Sequence, residues 1–267
     1  MNKKLGFIGV GNMATAIVGG MLSNSFVKPE YINLFDLDTS KCKAFVEQGC
    51  VASDSLLAVA KDSDIIVLAV KPQNYPDVLS QLSDIDCSDK VFVSIAAGIS
   101  ISYIRTLLGA DVKAVRVMPN TPLLLSKGAT AVCPSDNIEQ DEFELVRDMF
   151  ALGGAVEVID EAHMNEIISV NGSSPAYVYL FAKAMRDYAV SCGIDEQKAL
   201  SLICATFEGA AAMMKYSGDD LDTLIKKVSS PGGTTIAALN SFEENKFTDI
   251  IKTAMKACTD RADELGK

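Results

Sequence analysis

The sequence has no tryptophan and a single histidine, His163. The second shortage excludes more than the first. A Ser-His-Asp or Cys-His mechanism would have to run through His163, and no nucleophile elbow accompanies it. His163 stands beside Asp160, Glu161 and Glu166 at the start of a helical stretch, where a surface position is the ordinary expectation. Metal-ligand spacing is missing too, so no metal site is expected. Basic residues are outnumbered, 24 Lys and Arg against 35 Asp and Glu, and the net charge of −11 argues against nucleic acid or an anionic membrane as the main partner. No apolar run reaches the roughly 18 residues of a membrane span. Leu5 to Val10 is too short for the core of a signal peptide and runs straight into a glycine turn. The seven cysteines are scattered, odd in number and without a C-x-x-C pair, so they read as reduced, mostly buried thiols of a cytoplasmic protein.

What is present is ordinary globular material: 267 residues, 49% apolar and 22% charged, enough for a sizeable core in one or two domains. The chain is organised around its first unit, Lys4 to Asp36. It reads as a strand (Leu5 to Val10), the turn Gly9-Val10-Gly11-Asn12-Met13-Ala14, a helix from about Met13 to Ser25, and a second strand (Tyr31 to Asp36). This is the G-x-G-x-x-A dinucleotide fingerprint. Gly9 permits the tight turn, Gly11 lets the backbone approach a pyrophosphate, and Ala14 keeps the helix close to the sheet. The helix start offers free N–H groups and a positive dipole end to the phosphates.

Further strands are expected near Cys50 to Ala52, Asp64 to Val70, Val91 to Ile95, Val112 to Met118, Ala129 to Cys133 and Ala155 to Ile159. Helices over Ser40 to Gln48, Ser53 to Lys61, Asn74 to Leu82, Ile101 to Leu108 and Glu139 to Phe150 separate them. Strands and helices alternating at this spacing specify βαβ units and an α/β fold, a Rossmann-type doubly wound parallel sheet. From Asp160 onward the strand signal disappears. Glu161 to Val170, Pro175 to Ser191, Glu196 to Tyr216, Leu221 to Val228, Thr234 to Glu244 and Thr248 to Leu265 read as helices, giving a Rossmann domain at 1–160 and a helical domain at 161–267. Ala199 to Met214 is apolar around nearly its whole circumference and calls for burial on all sides. So much apolar helix is hard to bury in one protomer, which points to an oligomer interface.

In an open α/β sheet, ligands bind beyond the carboxyl ends of the strands. Asp36 ends the second strand, where a carboxylate accepts hydrogen bonds from adenosine ribose hydroxyls and repels a 2′-phosphate. With no Arg between Asp36 and Lys43, this tilts the cofactor toward NAD(H); the alternative is a turn or cap residue. Lys71, just past a buried strand, meets a phosphate or ribose or is solvated. In the helical half, Val228-Ser229-Ser230-Pro231-Gly232-Gly233-Thr234-Thr235 joins two helices, and its glycines free consecutive N–H groups for an anion such as a small carboxylate. A capped turn between helices is the bland alternative. The scarcity of acid–base side chains suits hydride transfer, in which the cofactor supplies the hard chemistry and the protein supplies positioning. A β-hydroxyacid dehydrogenase would need a catalytic lysine in the helical half, and Lys183 is the one to examine. A sensor without catalysis would not need a second carboxylate site.

Six segments together resemble the pyrroline-5-carboxylate reductase family along essentially the whole chain. They are Gly6 to Ala14, Ala69-Val70-Lys71-Pro72, Val93 to Gly98, Arg116 to Pro122, Gly172-Ser173-Ser174-Pro175-Ala176-Tyr177 and Ser229 to Thr235. The resemblance implies a Rossmann domain followed by an all-helical dimerisation domain that interlocks with a second subunit, often in rings of dimers. It implies NAD(P)H-dependent reduction of the cyclic imine L-1-pyrroline-5-carboxylate to L-proline. Carried across, it implies cofactor contacts at Gly9, Gly11, Asn12, Met13, Ala69, Lys71 and Pro72, with Ala97 and Asn120 near the nicotinamide. It implies a substrate site at Ser230, Gly232, Gly233 and Thr234, with the Thr235 hydroxyl, the catalytic candidate, facing the ring nitrogen.

Overall fold

Short apolar strands with covered faces must stack side by side between helices, and the first half of this chain does so in a single eight-stranded sheet. The structure is a computed structural model and describes residues 3–266. The chain divides into two compact units, Met1–Pro175 with Lys256–Lys267, and Ala176–Met255.

The strands of the first unit are β1 (Leu5–Ile8), β2 (Ile32–Phe35), β3 (Val51–Ala52), β4 (Ile65–Leu68), β5 (Val91–Ser94), β6 (Lys113–Met118), β7 (Gly128–Pro134) and β8 (Gly154–Val158). Between them lie helices α1 (Asn12–Ser23), α2 (Lys43–Val46), α3 (Leu56–Lys61), α4 (Tyr75–Leu82), α5 (Ile101–Leu108) and α6 (Gln140–Ala151). All eight expected strands form, in the order β3-β2-β1-β4-β5-β6-β7-β8. The chain winds outward from β1 to β3 and then crosses back to β4 on the other side of β1. That reversal is the switch point at which such sheets open a ligand crevice.

Every residue of β4 is buried, and alternation sends Ile65 and Val67 to one face and Ile66 and Leu68 to the other. The first face packs on Ile17, Val18 and Met21 of α1 and on Val146, Met149 and Phe150 of α6. The second packs on Val59 of α3, Leu79 and Leu82 of α4 and Ile104 of α5. Each such side chain contributes roughly 1.5–3 kcal/mol of burial, so the carboxyl ends of the strands rest on a rigid platform.

The sheet departs from the expected all-parallel plan at one seam. β7 runs antiparallel to β6, and β8 pairs with β7 in parallel. The connection from Pro119 to Lys127 holds only a short 3₁₀ segment, Thr121–Leu125, and is shorter than the dozen or so residues a parallel crossover needs. A second correction concerns Glu161 to Val170, which is not one helix. A 3₁₀ turn (Glu161–His163) is followed by a widened π segment (Ile168–Gly172). In that segment the Asn171 amide donates to the carbonyls of Met118 at 2.7 Å and Ala129 at 3.0 Å, drawing the backbone toward the sheet. The expected helix over Ser40 to Gln48 is likewise reduced to a 3₁₀ turn (Thr39–Cys42) and the single turn of α2.

The second half is helical: α7 (Ser174–Ser191), α8 (Glu196–Tyr216), α9 (Leu221–Lys227), α10 (Thr234–Glu244) and α11 (Phe247–Leu265). Within the second unit Phe181 stacks on Phe207, with ring centroids 6.1 Å apart, and Phe242 lies against Phe247 at 4.8 Å. Along α8 only Ala199 and Ile203 are buried. Leu180 is 69% exposed and Leu202 68%, and Tyr188, Met214, Tyr216 and Val228 are also open. The burial that the apolar helix calls for is not provided by its own chain.

Candidate active site

The glycine turn is built as the fingerprint requires, and for one reason beyond it. Gly9 has φ +95°, in the left-handed region, and a Cβ there would stand 2.7 Å from the Ala69 carbonyl oxygen. The turn is thus pressed against the loop after β4, with the Gly9 N–H donating to Phe35 O at 2.7 Å and the Ala69 N–H to Ile8 O at 2.8 Å. At Gly11 a Cβ would meet no protein atom within 4 Å. Gly11 is also the cap of α1, which starts without a side-chain cap bond and without an acidic residue in its first turn. Exposed Asn12 and half-buried Met13 follow, and Ala14 is buried against the sheet. A helix start of this kind, open in front and uncapped, fits a pyrophosphate.

Asp36 lies just beyond β2, and its carboxylate is already engaged. Oδ2 accepts from the Val10 N–H at 2.8 Å. Oδ1 accepts from the Asp38 N–H at 2.9 Å and the Lys41 ammonium at 3.0 Å. Partial burial pushes the carboxyl up, but the Val10 and Asp38 N–H groups and Lys41 outweigh it and hold it below the ordinary 3.8. Asp36 is therefore an ionised strut of the glycine turn as well as a candidate ribose ligand. Neither the Val10 link nor Lys41 follows from the motif; Lys41 could have been found only by extending the search for a cation beyond arginine.

The remaining cofactor candidates sit on neighbouring strand ends. Ala69, exposed Lys71 and Pro72 follow β4, and Pro72 opens a 3₁₀ turn, Pro72–Asn74, that leads into α4. Ala97 follows β5, beside Gly98 at φ +82°, where a Cβ would come within 2.5 Å of the Ala262 carbonyl. Asn120 follows β6 and is buried, with both ends of its amide committed. Oδ1 accepts from the Ala129 N–H at 2.9 Å, and Nδ2 donates to Asn171 O at 3.0 Å. The side chain of Asn120 is a strut between the end of β6, the start of β7 and the π segment.

In the second unit, Ser230 and Gly232 to Thr235 form one loop into α10. Gly232 has φ +71°, the Gly233 N–H donates to Ser230 O at 2.9 Å, and Gly233 caps α10 with no side-chain bond and no acid in the first turn. Thr234 is exposed and Thr235 half-buried. The Gly233 N–H is thus taken by Ser230 O, and the uncapped start of α10 presents the remaining first-turn N–H groups.

Other nucleophiles and bases are badly placed. His163 is exposed on its 3₁₀ turn. Cys50 and Cys133 are buried, and burial pushes their thiols up to about 11 and about 12, the latter raised further by the charge of Glu161. Lys183 is exposed and paired with Asp187 at 2.7 Å, so within this chain it is not the buried lysine that a hydroxyacid dehydrogenase would need. Among the described residues no cluster of three or more His, Cys, Asp or Glu could hold a metal ion, and no helix is long and apolar enough to cross a membrane.

Both units have counterparts in known proteins. Residues 161–265 match the family model for pyrroline-5-carboxylate reductase dimerisation, and residues 4–98 match that for NADP oxidoreductase, coenzyme F420-dependent. The chain is 38% identical over 268 residues to pyrroline-5-carboxylate reductase of Escherichia coli (strain K12), with 100% of each chain covered. It is 34% identical to that of Methanosarcina acetivorans, covering 100% of this chain and 99% of the other. Among solved structures, a pyrroline-5-carboxylate reductase from Coxiella burnetii superposes with a TM-score of 0.90 at 31% identity, covering 100% of both chains. Plasmodium falciparum pyrroline carboxylate reductase with NADP bound superposes at 0.89 with 30% identity, covering 100% of this chain and 99% of that one. With identity of this level running through both the glycine-turn unit and the helical unit, the chain belongs to the pyrroline-5-carboxylate reductase family.

Proposed function

We propose that this protein reduces L-1-pyrroline-5-carboxylate to L-proline with a reduced nicotinamide dinucleotide, the last step of proline biosynthesis. The observation that carries the reading is a pair of uncapped helix starts behind glycine turns, one in each unit. One is α1 behind Gly9 and Gly11, suited to a pyrophosphate; the other is α10 behind Gly232 and Gly233, suited to a small carboxylate. When bound, the nicotinamide supplies a hydride to C5 of the imine.

The residues of the chain bind and orient. Gly9, Gly11, Asn12 and Met13 hold the pyrophosphate, Asp36 the adenosine ribose, Ala69, Lys71 and Pro72 contact the cofactor from the loop after β4, and Ala97 and Asn120 line the nicotinamide side. Ser230, Gly232, Gly233 and Thr234 hold the substrate carboxylate. The Thr235 hydroxyl hydrogen-bonds the ring nitrogen, which carries its proton as an iminium or gains one as C5 is reduced. An iminium is already electrophilic, so no strongly acidic side chain is needed, in keeping with an exposed histidine and neutral buried thiols. NADH is the preferred cofactor, because an ionised Asp36 faces any 2′-phosphate. The preference is one of degree, since Lys41 offsets that charge and the Plasmodium falciparum relative carries NADP.

Residues 1–160 act as the dinucleotide-binding domain and residues 161–267 as the substrate and dimerisation domain. The exposed apolar face of α7 and α8 is covered in a homodimer, with rings of dimers as the larger form, and the protein works in the cytoplasm. Loss of reduced-nicotinamide absorbance on adding the imine, with NADH and NADPH in parallel, tests the reaction; no oxidation with either, from folded protein, overturns it. Thr235→Ala is expected to lower kcat by about 10²-fold with Thr235→Ser recovering most of it, and an unchanged kcat in the alanine variant removes Thr235 from the chemistry.

A further inference from the structure

The sheet forks beside the candidate cofactor loops. β4 and β5 pair in parallel as far as Leu68 and Ser94, and the last bond of that ladder, from the Ile95 N–H to Leu68 O, is stretched to 3.4 Å. Past this point the strands separate into the loops Ala69 to Pro72 and Ile95 to Gly98.

Tyr75, at the start of α4, fills the fork from the second face of the sheet. Its ring is wholly buried, packed in the same core as Leu68 and Ala96. Its hydroxyl donates to Leu68 O at 2.9 Å and lies 2.8 Å from Oγ of Ser94, itself fully buried. One oxygen therefore binds the end of β4 and the end of β5, at the point where the loop after each begins. Burial holds the phenol far above its ordinary value, so it stays a neutral donor at working pH. Phenylalanine would fill the same space, and a buried hydroxyl is unfavourable unless its hydrogen bonds are made. The oxygen does what packing cannot, which is to fix how far apart the two loops stand.

We propose that Tyr75, through Ser94, is a positioning residue for the dinucleotide, its hydroxyl setting the gap between Ala69–Pro72 and Ile95–Gly98 into which the nicotinamide half enters. This rests on the placement of the cofactor proposed above. Tyr75→Phe and Ser94→Ala, made in the full chain, are compared with wild type for NADH binding by fluorescence and for the Michaelis constants of both substrates. Each variant is expected to raise the NADH Kd and KM about tenfold, or about 1.4 kcal/mol. The imine KM at saturating cofactor should stay within about twofold, a split that general loosening of the fold would not give. The double variant should be no worse than the worse single one, because both remove one unit. If Tyr75→Phe does not fold, Ser94→Ala decides, since it leaves the ring in place. Wild-type turnover with NADH binding unchanged in the folded variants overturns the role of Tyr75 alone. Absence of dinucleotide binding by wild type overturns the cofactor placement and this role with it.

Discussion

The charge balance at the adenosine corner can be read out directly by exchanging Asp36 and Lys41. The Asp36 carboxylate and the Lys41 ammonium are 3.0 Å apart, with side chains 11% and 44% exposed. For a 2′-phosphate on the proposed ribose, taking a separation of about 5 Å, two unit charges interact by about 0.8 kcal/mol in bulk water and by about 3 kcal/mol at an effective dielectric near 20. With the phosphate carrying about −1.5 to −2, a partly exposed Asp36 disfavours NADPH by about 1–3 kcal/mol, and Lys41 returns a similar amount. The wild-type preference for NADH should then be small. Asp36→Asn keeps an acceptor for the Val10 N–H while removing the charge, so NADPH should gain about 5- to 100-fold in kcat/KM relative to NADH.

Lys41→Ala should move the ratio the other way by about fivefold or more. Both shifts should shrink in about 1 M salt, where the screening length falls to about 3 Å. The assay is kcat/KM for the two cofactors at fixed saturating imine, with thermal midpoints as a control for the turn. A ratio unmoved by Lys41→Ala, or one that falls in Asp36→Asn, would refute the electrostatic account and place the ribose elsewhere.

Three further outcomes are expected. The pKa of Asp36 is lower in the folded protein than in the unfolded chain, so its stabilising contribution is complete above 3.8 and lost as pH falls toward the folded value. The thermal midpoint of wild type should therefore fall more steeply than that of Asp36→Asn as pH drops from about 5 to about 3; parallel curves would contradict the strut. Gly9→Ala combines φ +95° with a Cβ 2.7 Å from Ala69 O, which should cost about 2–4 kcal/mol and abolish dinucleotide binding, and a variant with wild-type melting and NADH affinity would show that the turn relaxes. Leu180→Glu with Leu202→Glu replaces two exposed leucines of the helical unit; each buried leucine is worth about 1.5–3 kcal/mol, so light scattering should report a smaller species, and an unchanged mass would exclude this face as the interface.

The parts of the fold that could be read from sequence were those with local causes. β4 was legible because both of its faces are buried and its composition says so, and α5 because Ser100 accepts the Tyr103 N–H at its start. The glycine turn and the carboxylate ending β2 were legible because the fingerprint places them a fixed crossover apart. The direction of β7 was less visible, although the short span from Met118 to Gly128 carried the clue. The π segment was not visible at all, since its cause is the Asn171 amide reaching Met118 and Ala129.

The site divides along the same line. Gly98 looks like an ordinary turn glycine, yet the atom that excludes a Cβ there is the carbonyl of Ala262, near the other end of the chain. Tyr75 reads as one more apolar core position, because nothing in its neighbours says that its hydroxyl ends on Leu68 and Ser94. The resemblance puts Asn120 near the nicotinamide, and nothing in its local sequence says that its amide bonds the Ala129 N–H and Asn171 O. In each case the deciding contact is with a residue on another element, which a local motif does not name. Tyr75, Asn120 and Asp36 are the positions at which polar side-chain atoms tie neighbouring strand ends together, so on the placement proposed above two chains with the same glycine motifs can hold clefts of different width.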